Sequence, residues 1–462
     1  MVTFDAFYRM LGSVLVRSSF DGLRARSRRP HAGPGRIAYV LWRYPWLSQT
    51  FVRREVETLR EAGVSVLVFA VESGDQPDVP GATDSSPGTV YFGPIDDAVG
   101  KAAIRAYARR TPWTVVRLVL FVIRHGALLH WPWWRDREIV IEAAQLATVL
   151  SSHGITHVHS TWADRYALIS FVASRLIGAT FSVQARASEI HRFAQAPQIA
   201  DRLRFGAFIV TNSQYNARHL AAQMQGLRTP PIHVIYDSLV LAPFRALAMQ
   251  SHEAPFRILA VGRLVEPKGF RHLLRACHRL RERGLAFTCE IIGGPMEPDD
   301  IVTWLELRMM HTALDLHSIV HFRGAQPFAT VLDALSRADL FVLPCVRARD
   351  GSHDITPNSL IEAMAAGLPV ISTTSGAIPE IVDDGIDGLL LPPGDDEALA
   401  DAIERLANDP ALRRALGAAA CRKVETRFDS ARTVAARVRL FQSLSGGGEF
   451  SSVESALPPA PP

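Results

Sequence analysis

Two carboxylates in the second half of the chain, Asp354 and Glu362, follow a D-x7-E spacing inside the run LFVLPCVRARDGSHDITPNSLIEAMAAG. A carboxylate offers two acceptor oxygens, so Glu362 suits a ribose diol and Asp354 suits the hydroxyls of a sugar. For an isolated pair, the simpler interpretation is a solvated loop acid and an ordinary exposed helix residue. The residues around the pair decide between these interpretations.

The local pattern predicts a strand, a polar loop and a helix around these acids. Residues 340–343 form a short apolar run that is typical of a strand covered on both faces. Thr356 followed by Pro357 signals a helix start, with Thr356 as the N-cap, and Gly367 signals its end. A helix is therefore expected over residues 358–366. Ligands of an open parallel sheet bind beyond the carboxyl ends of its strands, and a helix N-terminus there favours a phosphate.

Two cations and a glycine turn are expected at the same edge of this sheet. Gly262, Arg263 and Lys268 follow a predicted strand at 257–261 and precede a helix-spaced apolar segment. Arg263 can donate two parallel hydrogen bonds to phosphate oxygens, while Lys268 supplies a movable point charge. Gly293 and Gly294 end the next strand and permit a close approach of backbone to ligand. Each signal alone is typical of a surface loop or a tight turn, but together they predict a nucleotide-linked ligand whose diphosphate is neutralised without a metal.

The strands and helices that must position these residues form two alternating series. Predicted strands at 36–42, 64–71, 157–161, 181–185, 208–211 and 233–236 give a first Rossmann-like domain over 36–245. A second set gives a second such domain over 246–435, with strands at 257–261, 288–292, 319–322, 340–343, 369–372 and 388–391. Residues 241–255 are a plausible linker. The basic segment 1–35 is predicted to be a flexible leader, and 446–462 a disordered tail.

Composition excludes several classes of protein. The 462 residues carry a net charge of only +4 and no basic helix interleaved with stacking aromatics, so a nucleic-acid partner is not expected. The four cysteines show no C-x-x-C spacing, which favours a reducing compartment without structural zinc. His157 and His159 share one side of a strand, but without a third ligand nearby they are interpreted as packed histidines.

Residues 105–137 differ in character from the rest of the chain, because arginine and histidine alternate there with tryptophan, leucine, valine and phenylalanine. Such a segment can lie in a membrane interface. A buried helix pair with its basic residues facing water explains the pattern equally well. No apolar run reaches the length of about 18 residues that a membrane-spanning helix needs.

The motifs in their order resemble the retaining glycosyltransferases of family 4, which have the GT-B fold of two Rossmann-like domains facing each other across a cleft. The resemblance rests on VGRLVEPKGF, IIGGP, FRG, the D-x7-E run continued by LIEAMAAGLPVIST, and a glycine-to-glutamate segment at 376–381. In the first half, YPWLSQTF and HVHSTWAD resemble the branch that builds colanic-acid-like and other exopolysaccharides. The likeness covers roughly residues 36–435.

This resemblance implies an enzyme that moves a sugar from a UDP- or GDP-sugar to a glycan acceptor, lipid-linked and at the cytoplasmic face of the membrane. The first domain would bind the acceptor and the second the nucleotide sugar. Arg263 and Lys268 would hold the donor diphosphate, Glu362 the ribose and Asp354 the transferred sugar. Backbone amides near Ser359 and Leu360 would hold the distal phosphate. No metal and no cofactor are implied.

Three positions depart from the family pattern. Asp354 is one methylene shorter than the usual glutamate, so its contact with the sugar is expected to be longer or water-mediated. Arg186 stands where a histidine reaches the donor sugar in the A-H-A-x-D run, which reads ARASE here and ends in Glu189. Arg186 is permanently charged, so it either binds a sugar hydroxyl or an acidic sugar, or marks lost activity. Asp237, followed by Ser238, stands where an N-G turn is common.

The first strand-to-helix loop of the chain carries two hydroxyl residues, Ser48 and Thr50. Contact with the acceptor is one interpretation of these hydroxyls, and a helix cap is the ordinary one. Glu189 is assigned to the same acceptor side.

Two other functions fit the sequence. A nucleotide-sugar-binding subunit without catalysis is suggested by Arg186 and Asp354. A second GT-B reaction, such as a non-hydrolysing nucleotide-sugar epimerase, would need no acceptor.

Overall fold

The computed structural model describes residues 35–46, 50–74, 88–128, 133–186, 188–191, 196–227, 229–247 and 255–444. The predicted leader at 1–35, except for residue 35, and the predicted tail lie outside these ranges. Within them the chain builds two open parallel sheets.

The first sheet has seven strands in the order β3-β2-β1-β4-β5-β6-β7, all parallel. Its strands are β1 (Arg36–Tyr44), β2 (Val66–Ser73), β3 (Thr89–Tyr91), β4 (Ile155–Ser160), β5 (Thr180–Gln184), β6 (Ile209–Thr211) and β7 (Ile232–Val234). The helices of this half are α1 (Thr50–Glu61), α2 (Asp97–Arg110), α3 (Pro112–Leu128), α4 (Trp133–Ser152), α5 (Arg165–Ile177), α6 (Ser188–His191), α7 (Ala196–Leu203) and α8 (Gln214–Gln223). The edge strand β3 is not predicted from the sequence, because its three residues are shorter than the runs of about four to eight residues that indicate a strand.

The second sheet has six parallel strands in the order β10-β9-β8-β11-β12-β13. They are β8 (Phe256–Val261), β9 (Phe287–Ile292), β10 (Val320–Phe322), β11 (Leu340–Val342), β12 (Val370–Thr373) and β13 (Leu389–Leu391). Around them lie α9 (Ala242–Arg245), α10 (Phe270–Glu282), α11 (Asp300–Ala313), α12 (Phe328–Arg337), α13 (Asn358–Ala365), α14 (Ile378–Ile381), α15 (Asp396–Asn408) and α16 (Pro410–Arg427). The strand and helix alternation expected from the sequence is confirmed in both halves.

Both sheets reverse their strand order at one place, between β1 and β4 in the first and between β8 and β11 in the second. The loops that leave neighbouring strands at a reversal diverge to opposite faces and open a crevice at the carboxyl ends. In the second sheet, the loop after β8 carries Arg263 and Lys268, and the loop after β11 carries Asp354. The topology alone therefore brings these predicted site residues to one crevice.

The chain crosses between the two halves twice. Ile235 packs in the first core, and the next residue, Tyr236, packs in the second. The return crossing pairs with the first one, because the Leu239 amide donates to the Phe428 carbonyl (2.9 Å) and the Ser430 amide donates to the Leu239 carbonyl (2.9 Å). The two crossings thus lie side by side at the junction between the domains.

After the second crossing, helix α17 (Ser430–Ser443) packs on the first sheet rather than on the second. The Phe441 ring lies 6.1 Å from Tyr39, 5.5 Å from His159 and 5.8 Å from Phe208, centroid to centroid. The sequence predicts this helix, but its apolar face does not reveal which domain it covers.

The segment with the unusual composition forms helices α2 and α3 and the start of α4. Leu118, Phe121 and Val122 bury one face of α3 in the first core, which agrees with the buried-helix interpretation. Trp113, however, is 77% exposed at the α2–α3 corner. Within the described ranges, the structure contains no helix that is long and apolar enough to cross a membrane.

Replacing Phe441 by alanine is expected to destabilise the protein by about 3 to 5 kcal/mol, because it empties a buried aromatic site. The free energy of unfolding from urea titration measures this effect. The neighbouring Gln442 is exposed, so Gln442→Ala should change stability by less than about 0.5 kcal/mol. Equal effects of the two substitutions would show that α17 is not part of the first core.

Candidate active site

The centre of the candidate site is an ion pair between Lys268 and Asp354, with Nζ 2.5 Å from Oδ2. A short 3-10 turn (Glu266–Lys268) delivers the lysine, and Gly269 ends this turn at φ +72°. A β-carbon at Gly269 would lie 1.8 Å from the Pro344 carbonyl oxygen, so only glycine lets the two loops approach. The contact is further fixed by a hydrogen bond from the Val346 amide to the Pro267 carbonyl (2.9 Å).

The Asp354 carboxylate stabilises the positive charge of Lys268. Burial by itself lowers the pKa of Lys268, but the Asp354 carboxylate outweighs burial and the pKa is raised. Lys268 is therefore an ammonium throughout the physiological pH range. The structure thus joins the cation assigned to a diphosphate and the acid assigned to a sugar in one pair.

Glu362 lies on α13, whose bounds agree with the predicted helix to within one residue. Its Oε1 accepts a hydrogen bond from Arg54 Nη2 (3.2 Å), and Arg54 belongs to α1 of the first domain. Burial raises the pKa of Glu362, and the arginine opposes that shift. The Arg54 guanidinium also lies 5.6 Å from the centroid of the Phe328 ring. Sequence reasoning missed Arg54, because nothing on an amphipathic surface helix marks one arginine as crossing a cleft.

Gly293 and Gly294 bring the loop after β9 against the loop after β8. Gly293 adopts φ +144°, and a β-carbon there would lie 1.9 Å from the Gly262 carbonyl oxygen, so the two loops meet backbone to backbone. The Leu264 amide donates to the Gly294 carbonyl (3.2 Å). Arg263 stands at the rim, with Nε 3.5 Å from Asp300 Oδ2.

The first turn of α13 presents a polar atom that lacks a partner. The Ser359 hydroxyl oxygen is buried and has no hydrogen-bond partner in the described part of the chain. The Leu360 amide, in contrast, already donates to the Pro357 carbonyl (3.0 Å). A buried hydroxyl at a helix N-terminus fits an anionic ligand, which supports Ser359 more directly than the Leu360 amide.

Thr356 does not cap α13, contrary to the expectation from sequence. The N-cap residue is Pro357, without a side-chain hydrogen bond. The Thr356 hydroxyl instead accepts from Asn212 Nδ2 (2.7 Å) and donates to Asp237 Oδ2 (3.2 Å). The physical reason is that two polar groups from the other side of the cleft satisfy this hydroxyl in place of the helix amides.

Arg186 lies in a buried cluster and is only 2% exposed. Its two terminal nitrogens donate to Asp237 Oδ1 (2.6 Å) and Glu55 Oε2 (2.8 Å), and the guanidinium carbon lies 4.4 Å from the centroid of the Phe51 ring. Glu189 accepts from the Arg186 amide (2.6 Å) rather than lining an open surface. Two of the departures from the family pattern, Arg186 and Asp237, are therefore partners in one buried ion pair.

A second acid links the domains. Glu380 accepts from the amides of Gln214 (2.8 Å) and Tyr215 (2.6 Å) at the N-terminus of α8, and from the Tyr236 hydroxyl (2.8 Å). A carboxylate at a helix N-terminus satisfies free amides and complements the helix dipole. The second domain thus caps a helix of the first.

Other candidates are placed as follows. Ser48 lies outside the described residues, and Thr50 begins α1 with a side chain that the structure does not describe. His157 is buried between Thr180 Oγ1 (2.7 Å) and Ser182 Oγ (2.6 Å), which agrees with a packed histidine. Among the described residues, no group of three histidine, cysteine or acidic side chains is arranged to hold a metal ion.

With two facing Rossmann-like domains and a crevice at their carboxyl edges, the chain has the GT-B fold. Solved structures with this fold include sucrose-phosphate synthase from Thermosynechococcus elongatus, with a TM-score of 0.67 and 18% identity over 90% of this chain and 100% of that one. HepE from Anabaena, solved with UDP and glucose, has a TM-score of 0.65 and 16% identity over 88% of this chain and 100% of HepE. At these identities the likeness establishes the fold alone.

Sequence comparison is more specific for the second domain. Residues 255–409 match the family model described as glycosyl transferases group 1. The chain is 27% identical to the colanic acid biosynthesis glycosyltransferase named WcaL of Escherichia coli (strain K12), over 82% of this chain and 94% of that protein. It is 38% identical to the amylovoran biosynthesis glycosyltransferase AmsK of Erwinia amylovora, over 38% of this chain and 42% of AmsK.

Three histidines meet beside the site where the domains touch. The His191 ring lies 4.3 Å from that of His219 and 4.7 Å from that of His353, centroid to centroid. His191 Nε2 lies 2.8 Å from Asn216 Oδ1, and His353 Nε2 lies 3.2 Å from the Tyr215 hydroxyl. Burial lowers the pKa of His191 to about 4 and also lowers the pKa of His353.

Acidification is expected to destabilise the protein through His191 and His353. A histidine with a lowered pKa is neutral in the fold and protonated when unfolded, so stability falls as the pH drops below about 6.5 towards the folded-state pKa. Each proton taken up on unfolding costs about 1.4 kcal/mol per pH unit. Unfolding titrations between about pH 7 and pH 5 should show this slope, and it should be reduced in His191→Gln and His353→Gln.

The control for this prediction is His278→Gln, because His278 lies on α10 with Glu282 as its partner, away from the histidine group. Its slope should equal that of the unmodified protein. If His191→Gln and His353→Gln also leave the slope unchanged, the interface histidines do not contribute to the acid sensitivity.

Proposed function

We propose that this protein is a glycosyltransferase of cell-surface polysaccharide biosynthesis, transferring a sugar from a UDP- or GDP-sugar to a glycan acceptor that is lipid-linked. The observation that carries the proposal is the Lys268–Asp354 pair, held at the switch point of the second sheet beside Glu362 and the glycine turn. The names of WcaL and AmsK, both polysaccharide biosynthesis glycosyltransferases, support the same conclusion.

In this proposal, Lys268 and Arg263 bind the donor diphosphate and Glu362 binds the ribose. Ser359, with its unpartnered hydroxyl, contacts the distal phosphate. Once the lysine turns to the phosphate, Asp354 is free to accept hydrogen bonds from hydroxyls of the sugar. The two cations take up the negative charge that develops on the leaving diphosphate, so no metal ion is required.

The transfer step is proposed to retain the anomeric configuration. The bond between the anomeric carbon and the diphosphate oxygen breaks, and the acceptor oxygen forms the new bond on the same face of the sugar. The acceptor proton passes to the departing phosphate oxygen, which acts as the base. The protein contributes charge stabilisation and positioning rather than a nucleophile.

Replacing Lys268 by alanine is expected to reduce turnover by roughly a hundredfold to a thousandfold, the range for removing one donor that stabilises developing charge. Release of UDP or GDP from the matching sugar nucleotide, with glycan acceptor present, measures the rate. Lys101→Ala is the matched control, since Lys101 pairs with Asp97 on the outer face of α2. Unchanged turnover in Lys268→Ala would remove the diphosphate assignment.

The donor class is read from a thermal-shift panel of UDP, GDP and their sugar conjugates, because a ligand that binds only the native state raises the melting temperature. The shift should disappear in Glu362→Ala. Binding without turnover would favour the nucleotide-sugar-binding subunit. Conversion of the sugar nucleotide without acceptor and without free nucleotide would favour the epimerase.

We also propose that the first domain meets an anionic membrane surface at the α2–α3 corner, on the cytoplasmic face. The exposed Trp113 lies there between Arg109 and Arg110 on one side and Arg117 on the other, all three of which are exposed. An amphipathic tryptophan flanked by arginines suits the headgroup region. The arginines would each contribute about 1 kcal/mol near an anionic surface.

Trp113→Glu should weaken sedimentation of the protein with phosphatidylglycerol vesicles, while vesicles of phosphatidylcholine alone should bind little of either form. Met309→Glu is the matched control, because Met309 is a similarly exposed apolar residue on α11 of the other domain. If Trp113→Glu and Met309→Glu weaken vesicle binding equally, the α2–α3 corner is not the contact.

A further inference from the structure

Asp237 occupies a central position between the two domains. It directly follows Tyr236, at the point where the chain passes from the first core to the second. Its carboxylate oxygens have separate tasks, since Oδ1 accepts from Arg186 (2.6 Å) while Oδ2 accepts from Asn212 (3.0 Å) and Thr356 (3.2 Å). The Asp237 carboxylate is thus bound by Arg186 and Asn212 of the first domain and accepts from the Thr356 hydroxyl of the second.

The Thr356 hydroxyl that Asp237 binds lies just before helix α13. Thr356 comes two residues before α13, the helix that carries Ser359 and Glu362. Asn212 donates to the same hydroxyl (2.7 Å). Two side chains, those of Asn212 and Asp237, therefore hold the start of this helix against the first domain. The orientation of α13 across the cleft therefore depends on where the Asp237 carboxylate points.

Arg186 fixes the direction of the Asp237 carboxylate from the side of the first domain. Its second terminal nitrogen is held by Glu55, which is itself bound by the Tyr39 hydroxyl (2.8 Å) and by Arg437 (3.2 Å). The cluster therefore contains two arginines and two carboxylates, all less than a tenth exposed. A planar guanidinium stays charged at physiological pH and can hold Glu55 and Asp237 at the same time in fixed directions.

We propose that Arg186 is a positioning residue that acts on the donor site through Asp237 and Thr356, rather than by contact with the donor sugar. By holding Asp237, it sets the start of α13 against the first domain and so places Ser359 and Glu362 opposite Lys268. This inference rests on the proposed function for its effect on nucleotide binding, but the mechanical link between Arg186 and α13 does not depend on it.

The test uses four conservative changes in the full-length protein. Asp237→Asn and Thr356→Val each break the link while keeping the side-chain shape, and each should weaken binding of UDP or GDP by about tenfold in calorimetric titration. Thr356→Ser keeps the hydroxyl and should bind as the unmodified protein does. Glu55→Gln weakens the contact that holds Arg186 on the side of the first domain, so it should weaken nucleotide binding in the same direction as Asp237→Asn, by less than about tenfold. Lys101→Ala, on the outer face of α2, is the control and should bind as the unmodified protein does.

A double variant tests whether Arg186 and Thr356 affect nucleotide binding through one path or independently. If Arg186 acts through this path, Arg186→Lys combined with Thr356→Val should weaken nucleotide binding no further than Thr356→Val alone, because both interrupt the same link. Multiplying effects would overturn the proposal. So would normal binding by both single variants.

A second measurement needs no ligand. Hydrogen exchange of the free protein should become faster at residues 356–362 in Asp237→Asn and Thr356→Val, but not in Thr356→Ser. If no nucleotide binds and exchange still responds, the proposed function is wrong and the link is correct. If nucleotide binds and neither exchange nor affinity responds to the two variants, the link is wrong and the proposed function stands.

Discussion

The meeting of two loops at the reversal of the second sheet is the constraint on which the site depends. Parallel strands place their carboxyl ends at one edge, and the reversal between β8 and β11 leaves room for the loops there. Lys268 and Asp354 reach each other only because Gly269 allows backbone contact with Pro344. The chemistry of the site therefore follows from a steric condition as much as from its charges.

The sequence can predict those site residues that follow the strands of this sheet along the chain. Lys268, Asp354, Glu362 and the glycine turn each follow a recognisable strand, so topology assigns them to one crevice. Arg54 could not be found in this way, because its contact with Glu362 joins residues far apart in the chain through a side chain that points across the cleft. The return of α17 to the first sheet has the same origin, since an apolar helix face does not specify its partner.

Buried and partly buried charged side chains lie at the interface between the domains. Burying an ion is costly unless another charge and further hydrogen bonds compensate it. Arg186 meets this requirement through Glu55 and Asp237, so two residues that depart from the pattern of the resembled family are in direct contact. Sequence alone shows each departure as an isolated anomaly, because spacing carries no information on which distant residues become neighbours.

In this structure, charged groups proposed for the donor already have partners. Lys268 contacts Asp354, Glu362 contacts Arg54, and Arg263 lies near Asp300. Binding a diphosphate sugar is then an exchange of ion pairs rather than the filling of free charges, so its net energy is smaller than the contacts suggest. The exchange would also free side chains for new contacts. Under the proposed function, Asp354 would become free for the sugar as the lysine turns to phosphate, and Arg54 would be released from Glu362 as the ribose arrives. Donor binding would thereby alter a contact between the domains, which couples occupancy of the second domain to the first.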